Sequence, residues 1–182
     1  EEIKSMKFRI NQSLKPNKEQ NIKLGFGGIR EIEFIIQSNQ LLFGGRNKEL
    51  RIRNSLSALK IMKEKNIILE KDFLCLSKAY IFLRHLENKV QITFGLQTHK
   101  LPETLPEIAV LARKMGFEEK TKEDLAANLM KVYVSHTNFV GKMFSELFSE
   151  KGKRDAAEVI SKEWEQSRKG ETFFSEDVLA SI

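Results

Sequence analysis

Apolar positions recur at steps of three and four along most of the chain, which is the spacing of amphipathic helices. Ile3, Met6 and Ile10 predict the end of a helix over residues 1–11, and 12–20 reads as a loop. Asn21 to Leu24 suits a short edge strand, and Gly25-Phe26-Gly27-Gly28 then breaks the pattern. A helix follows from about Ile29 to Phe43, and Gly44-Gly45 stops it. Another runs from about Glu49 to Lys65, with Ile52, Leu56, Leu59 and Met62 or Lys63 in turn. The longest mid-chain helix spans about Glu70 to Phe94. Phe73, Leu76, Tyr80, Leu83, Glu87, Val90 and Phe94 form its stripe, and Leu74, Ile81, Phe82 and Ile92 cover much of the remaining circumference. Such a helix is predicted to be central and buried. Thr104-Leu105-Pro106-Glu107 reads as a capped start of a helix ending near Gly116. Thr121-Lys122-Glu123-Asp124 opens a last long helix whose stripe is Leu125, Leu129, Val132, His136, Phe139, Met143 and Leu147, close to a heptad. Beyond Gly152 the chain is polar, with one helical run around Ala156 to Trp164.

These elements predict an all-α fold: an antiparallel bundle of about five to seven helices with a short, glycine-rich, non-helical N-terminal segment. Three Pro and ten Gly in 182 residues agree with long uninterrupted elements. The longest charge-free stretch, Phe34 to Gly45, is too short for a membrane span, which needs about 20 residues. A single Cys excludes a disulfide framework and a multi-thiolate zinc site, and makes a reducing, cytoplasmic compartment the expectation. Glu1-Glu2-Ile3-Lys4 has no apolar centre for a signal peptide, and the absence of an initiating Met suggests a piece of a longer protein.

The net charge of +6 lies in the first third: residues 1–60 carry 12 Lys/Arg and 6 Asp/Glu. A local positive field attracts phosphate groups or an acidic partner. Basic residues are not interleaved with aromatics, so nucleic acid is not an expected partner.

Two helices carry polar strips bordered by apolar residues. Arg30, Glu33, Gln37 and Gln40 share one strip of the Ile29–Phe43 helix. Tyr80, Arg84, Glu87 and Gln91 share another on the 70–94 helix, where Arg84 and Gln91 both come within reach of Glu87. Such strips either line a ligand site or domain contact, or satisfy each other inside the bundle, since a buried charge must be paired. The glycine turn before Ile29 offers backbone N–H groups and a helix N-terminus to an anion, with Lys23 and Arg30 beside it. Lys23, Gly27, Gly28, Arg30 and Glu33 are therefore the candidates for a nucleotide- or phosphate-facing site. Gln37, Tyr80, Arg84, Glu87 and Gln91 are candidates for a structural polar seam. His136 reads as a core histidine, His85 and His99 lack a second ligand at metal spacing, and Cys75 reads as packing. The four Asp are far apart, no Asp-x-Asp occurs, and no metal site is expected in this chain.

Lys23-Leu24-Gly25-Phe26-Gly27-Gly28-Ile29-Arg30-Glu31-Ile32-Glu33-Phe34-Ile35-Ile36-Gln37 closely resembles a motif of the bifunctional glutamine synthetase adenylyltransferase/adenylyl-removing enzyme family. The resemblance continues in order through Gln40-Leu41-Leu42-Phe43-Gly44-Gly45-Arg46, Ala79 to Asn88, Gln97-Thr98-His99-Lys100-Leu101-Pro102 and Met115-Gly116-Phe117, and covers about residues 20 to 150. Two positions depart from the family's pattern: Phe26 stands where a smaller residue or Pro is commoner, and Gly95 where an acidic residue is usual.

The resemblance implies an enzyme with two nucleotidyltransferase units. One attaches AMP from ATP to a tyrosine of glutamine synthetase; the N-terminal one removes it with phosphate and yields ADP. It also implies Mg²⁺, ATP/ADP and regulation by the PII signalling protein and glutamine. On this pattern residues 1–27 end a preceding nucleotidyltransferase core, 28–150 form a helical bundle domain, and 151–182 a polar C-terminal helix or linker. The metal-binding carboxylates would lie before Glu1, and the chain alone would be inactive. Its expected role is to pack on the core and help position nucleotide and glutamine synthetase. The alternatives are a regulatory or docking module that binds PII or glutamine synthetase, and the helical domain of a related PII uridylyltransferase.

Overall fold

A computed structural model describes residues 21–95 and 98–149. The helical readings over 1–11 and 156–164, and the loop over 12–20, lie outside the described residues. The chain divides into two compact units, Glu1–Ser145 and Glu146–Ile182. Of the second, only residues 146–149 are described.

Five α-helices make up the described fold: α1 (Ile29–Phe43), α2 (Ser55–Glu64), α3 (Glu70–Phe94), α4 (Leu105–Lys114) and α5 (Lys122–Leu147), with a 3₁₀ turn at Lys48–Leu50. The all-α bundle expected from the sequence is what the structure shows. α1, α2 and α3 pack on one another, and α4 packs on α3. Ile32, Ile35, Leu50, Leu59, Met62, Leu76, Leu83, Leu86 and Leu111 are fully enclosed or nearly so. Burying one such side chain stabilises by about 1.5–3 kcal/mol, and these contacts hold the helices together.

Local chemistry sets the element boundaries. Asn54 accepts from Ser57 N at 2.9 Å and so starts α2. The helix expected from Glu49 therefore begins six residues later. Residues 51–54 are non-helical and Ile52 is exposed rather than in the core. Asn66, at φ +56°, follows the end of α2 in the left-handed region that Asn tolerates. Gly95, at φ +64°, donates its N–H to Gln91 O and ends α3. That accounts for glycine at a position where an acidic residue is usual. Thr121 Oγ1 accepts from Asp124 N at 3.1 Å at the start of α5.

Two sequence expectations about helix faces change. Leu74, Ile81 and Ile92 are 46%, 55% and 76% exposed, so α3 buries one face and is not enclosed all round. On α5 the buried residues are Leu125, Ala126, Leu129, Tyr133, Thr137, Val140, Gly141 and Phe144. The inner face is thus turned by about one residue from the expected stripe, and His136 lies at its margin rather than in the core. Thr137 and Gly141, both small, let this turned face lie close to Gly27 and Phe26. The edge strand expected at Asn21–Leu24 is a tight turn with one antiparallel bridge, Asn21 to Lys100.

Candidate functional site

The glycine corner is built from backbone upward. Asn21 Oδ1 accepts from Lys23 N at 3.0 Å and Leu24 N at 2.7 Å, which makes the turn. Ile22, fully buried, donates its N–H to His99 O at 2.8 Å and pins the turn to the segment after α3. Gly27 has φ +67°, a conformation that costs a residue with a Cβ about 1–2 kcal/mol. A Cβ at Gly27 would also fall on the Thr137 backbone of α5, and one at Gly28 would press on the carbonyls of Ile22 and Lys23. Phe26 lays its ring where a Cβ on Gly141 would stand. The corner and α5 therefore interlock through Gly27 against Thr137 and Phe26 against Gly141.

This packing decides the fate of the N–H groups at the turn. Gly27 N donates at 3.0 Å to Glu31 Oε2, a carboxylate buried in the first turn of α1. Gly28 N donates to Gly25 O, Ile29 N to Ile22 O and Arg30 N to Lys23 O, at 3.0, 3.1 and 3.0 Å. The donors that the sequence offered to a phosphate are thus already engaged, and Gly27 and Gly28 are buried. Their glycines answer to close packing and a left-handed turn. Glu31 is the part of the corner that sequence reasoning missed, although its place four residues after Gly27 at a helix start was visible.

What faces outward is charge. Lys23 is half-buried, and the Arg30 side chain is 47% exposed. Arg30 Nη1 lies 3.5 Å from Glu33 Oε2, and its guanidinium stands 5.8 Å from the centroid of the Phe34 ring. Gln37 continues this exposed strip. Gln40 leaves it, donating from Nε2 to the carbonyls of Leu50 and Ile52 at 2.6 and 2.8 Å.

The second strip centres on Glu87, which is 3% exposed. Arg84 Nη1 donates to Glu87 Oε2 at 2.9 Å, and Arg84 also lies over the Tyr80 ring at 5.9 Å. On the other side His99 Nδ1 comes within 2.8 Å of Glu87 Oε1, without the alignment of a full N–H hydrogen bond. Geometry of this kind pairs the carboxylate inside the fold, with the charge of His99 depending on its protonation. Gln91, also on this strip, is half-buried, and its carbonyl holds the end of α3. His99 had no local signal in the sequence, because its partner is twelve residues away on another element. Its own carbonyl holds Ile22, so backbone contacts tie the 21–23 turn to the 98–100 segment.

Elsewhere, burial pushes the Tyr133 phenol up to about 12. Burial, with Lys78 nearby, lowers the His136 imidazole below its ordinary value, and its ring sits 4.9 Å from that of Phe82. The described residues contain no group of three or more His, Cys, Asp or Glu placed to hold a metal ion. No helix among them is long and apolar enough to cross a membrane.

Comparison with known proteins sets the class. A family model described as GlnD PII-uridylyltransferase matches residues 2–148. The curated relatives bear another name, bifunctional glutamine synthetase adenylyltransferase/adenylyl-removing enzyme. That of Rhizobium meliloti (strain 1021) is 46% identical over 102 residues, covering 56% of this chain and 10% of that protein. That of Rhodopseudomonas palustris (strain ATCC BAA-98 / CGA009) is 45% identical over 100 residues, covering 55% of this chain and 10% of that protein. For Burkholderia mallei (strain ATCC 23344) the values are 37% over 155 residues, 82% and 16%. The match shows that the chain belongs to the class that this family model describes, and its described residues fold as a helical bundle. Within that class, the chain belongs to the family of the bifunctional glutamine synthetase adenylyltransferase/adenylyl-removing enzyme. It spans 10–16% of the length of these three relatives.

Proposed function

We propose that this chain is the helical domain that packs on a nucleotidyltransferase core and helps position nucleotide and glutamine synthetase for AMP transfer or its phosphorolytic removal. The observation that carries the reading is the contrast within the corner. Its backbone donors and buried carboxylate are satisfied internally, while Lys23 and Arg30 project from that fixed base. Cations on a pre-positioned backbone suit an anionic neighbour, because little ordering remains when it arrives. Glu33 pairs with Arg30 at 3.5 Å and orients it. Mg²⁺ and ATP or ADP belong, on this reading, to the core. The described residues contain no group of three or more His, Cys, Asp or Glu placed for the ion.

Arg30→Ala in the full-length enzyme is the direct test. Deadenylylation kcat/KM is expected to fall by about tenfold or more, the scale of losing one charge-assisted contact of about 1.5–3 kcal/mol. Thermal stability is expected to hold, since the Arg30 side chain is about half exposed and its pair with the half-buried Glu33, at 3.5 Å, is a partly solvated one. Unchanged kinetics would remove Arg30 from the site.

A second reading is a docking module for glutamine synthetase or PII with no residue near chemistry. Glu87 favours it, because its pairing with Arg84 and His99 completes the 70–94 strip without any ligand. Titrating the chain with ATP, glutamine synthetase and PII separates the two. Affinity for a protein partner with none for ATP, together with normal Arg30→Ala kinetics, selects docking.

A further inference from the structure

We infer that the rigid loop joining α1 to α2, residues 44–54, is a docking edge for an acidic protein surface. Of the seven Lys/Arg and three Glu in residues 21–60, this segment holds Arg46, Lys48, Arg51 and Arg53 against Glu49 alone. Most of the local positive excess is therefore concentrated in eleven residues. The one acid is already used: Glu49 pairs with Lys65 at 3.0 Å. Lys60 and Lys63 pair with Glu64 and Glu70, whereas Lys48 and Arg53 make no ion pair among the described residues and are both exposed.

The loop is held rather than loose. Gln40 Nε2 binds the carbonyls of Leu50 and Ile52, Arg51 Nε donates to Gly44 O at 2.7 Å, and Leu50 is fully buried. Two side chains thus fix the backbone from both ends, so the cations stand on a pre-ordered frame and lose little freedom on binding. Between Arg51 and Arg53, Ile52 is 38% exposed. An aliphatic side chain set among cations matches a protein surface that pairs carboxylates with an apolar contact. Single-stranded nucleic acid wants aromatic faces for stacking instead, and residues 44–54 contain none. The inference is independent of the corner, because it uses none of its residues.

The test uses the 182-residue chain and three labelled probes: a peptide alternating Glu with Leu, the same peptide with Ser for Leu, and a single-stranded oligonucleotide of equal charge. At about 50 mM salt, where surface charges act over roughly 13 Å, the Glu/Leu peptide is expected to bind best. The double variant K48E/R53E should weaken it by about tenfold or more, and Ile52→Ser by a smaller factor. Both variants change exposed side chains, and a thermal melt matching the parent confirms the fold. A variant that melts lower is replaced by Lys48→Gln/Arg53→Gln, which removes charge without adding repulsion and should still weaken binding. Equal affinity of parent and charge variants for the peptide overturns the inference, as does no peptide binding, or an oligonucleotide that binds as tightly as the peptide.

Discussion

Gly27 shows how one residue type carries two demands. Its positive φ excludes most side chains, and the Thr137 backbone fills the space where a Cβ would go. Gly27→Ala should therefore cost the sum of a left-handed penalty and overpacking, about 2–5 kcal/mol. Chemical denaturation of the chain measures it; a loss below about 1 kcal/mol would mean that the corner does not rest on α5 as described. Sequence reasoning found this glycine but assigned it to anion binding. The glycine turn was legible; the buried carboxylate that takes its N–H, and the helix that closes over it, depend on tertiary packing and were not.

Elements were mostly legible, and the exceptions have causes. Periodicity placed all five helices, because apolar spacing and caps agree over long stretches. The start of α2 was missed because Asn54 caps it more effectively than the apolar pattern extends it. The turn of α5 was missed because Thr137 and Gly141, two small residues, take the inner face that larger residues appeared to claim. His136 consequently sits at the margin, against Phe82 and near Lys78. Its folded-state pKa lies below the unfolded value of about 6.5, so the unfolded chain takes up the proton first as pH falls. The contribution of His136 is thus fully present above about pH 6.5 and is lost as pH drops below it. Thermal melts between about pH 7.5 and 5.5 should show a smaller acid-side loss for His136→Gln than for the parent chain. Identical pH profiles would place His136 in a solvent-like environment.

At the scale of the whole molecule, the described residues form a helical bundle with two cationic edges, one at the corner and one on the 44–54 loop. The proposal that a nucleotidyltransferase core covers the first of these was reached from the ordered motifs. Its partner surface was not legible, because a covering domain leaves no periodic trace in the helix it covers. Gln37 is exposed on the strip that begins with Arg30, so it reports on cover without touching the charged residues. The most direct measurement is the rate at which a maleimide labels Gln37→Cys, with Cys75, which is exposed and not the packing residue its helical place suggested, replaced by Ser, read by mass spectrometry of the labelled peptide. The account predicts rapid labelling in the isolated chain and labelling slower by about tenfold or more in the full-length enzyme, as burial of a partly ordered contact requires. Equal rates in the two would contradict it, since the strip would then face solvent with no core against it.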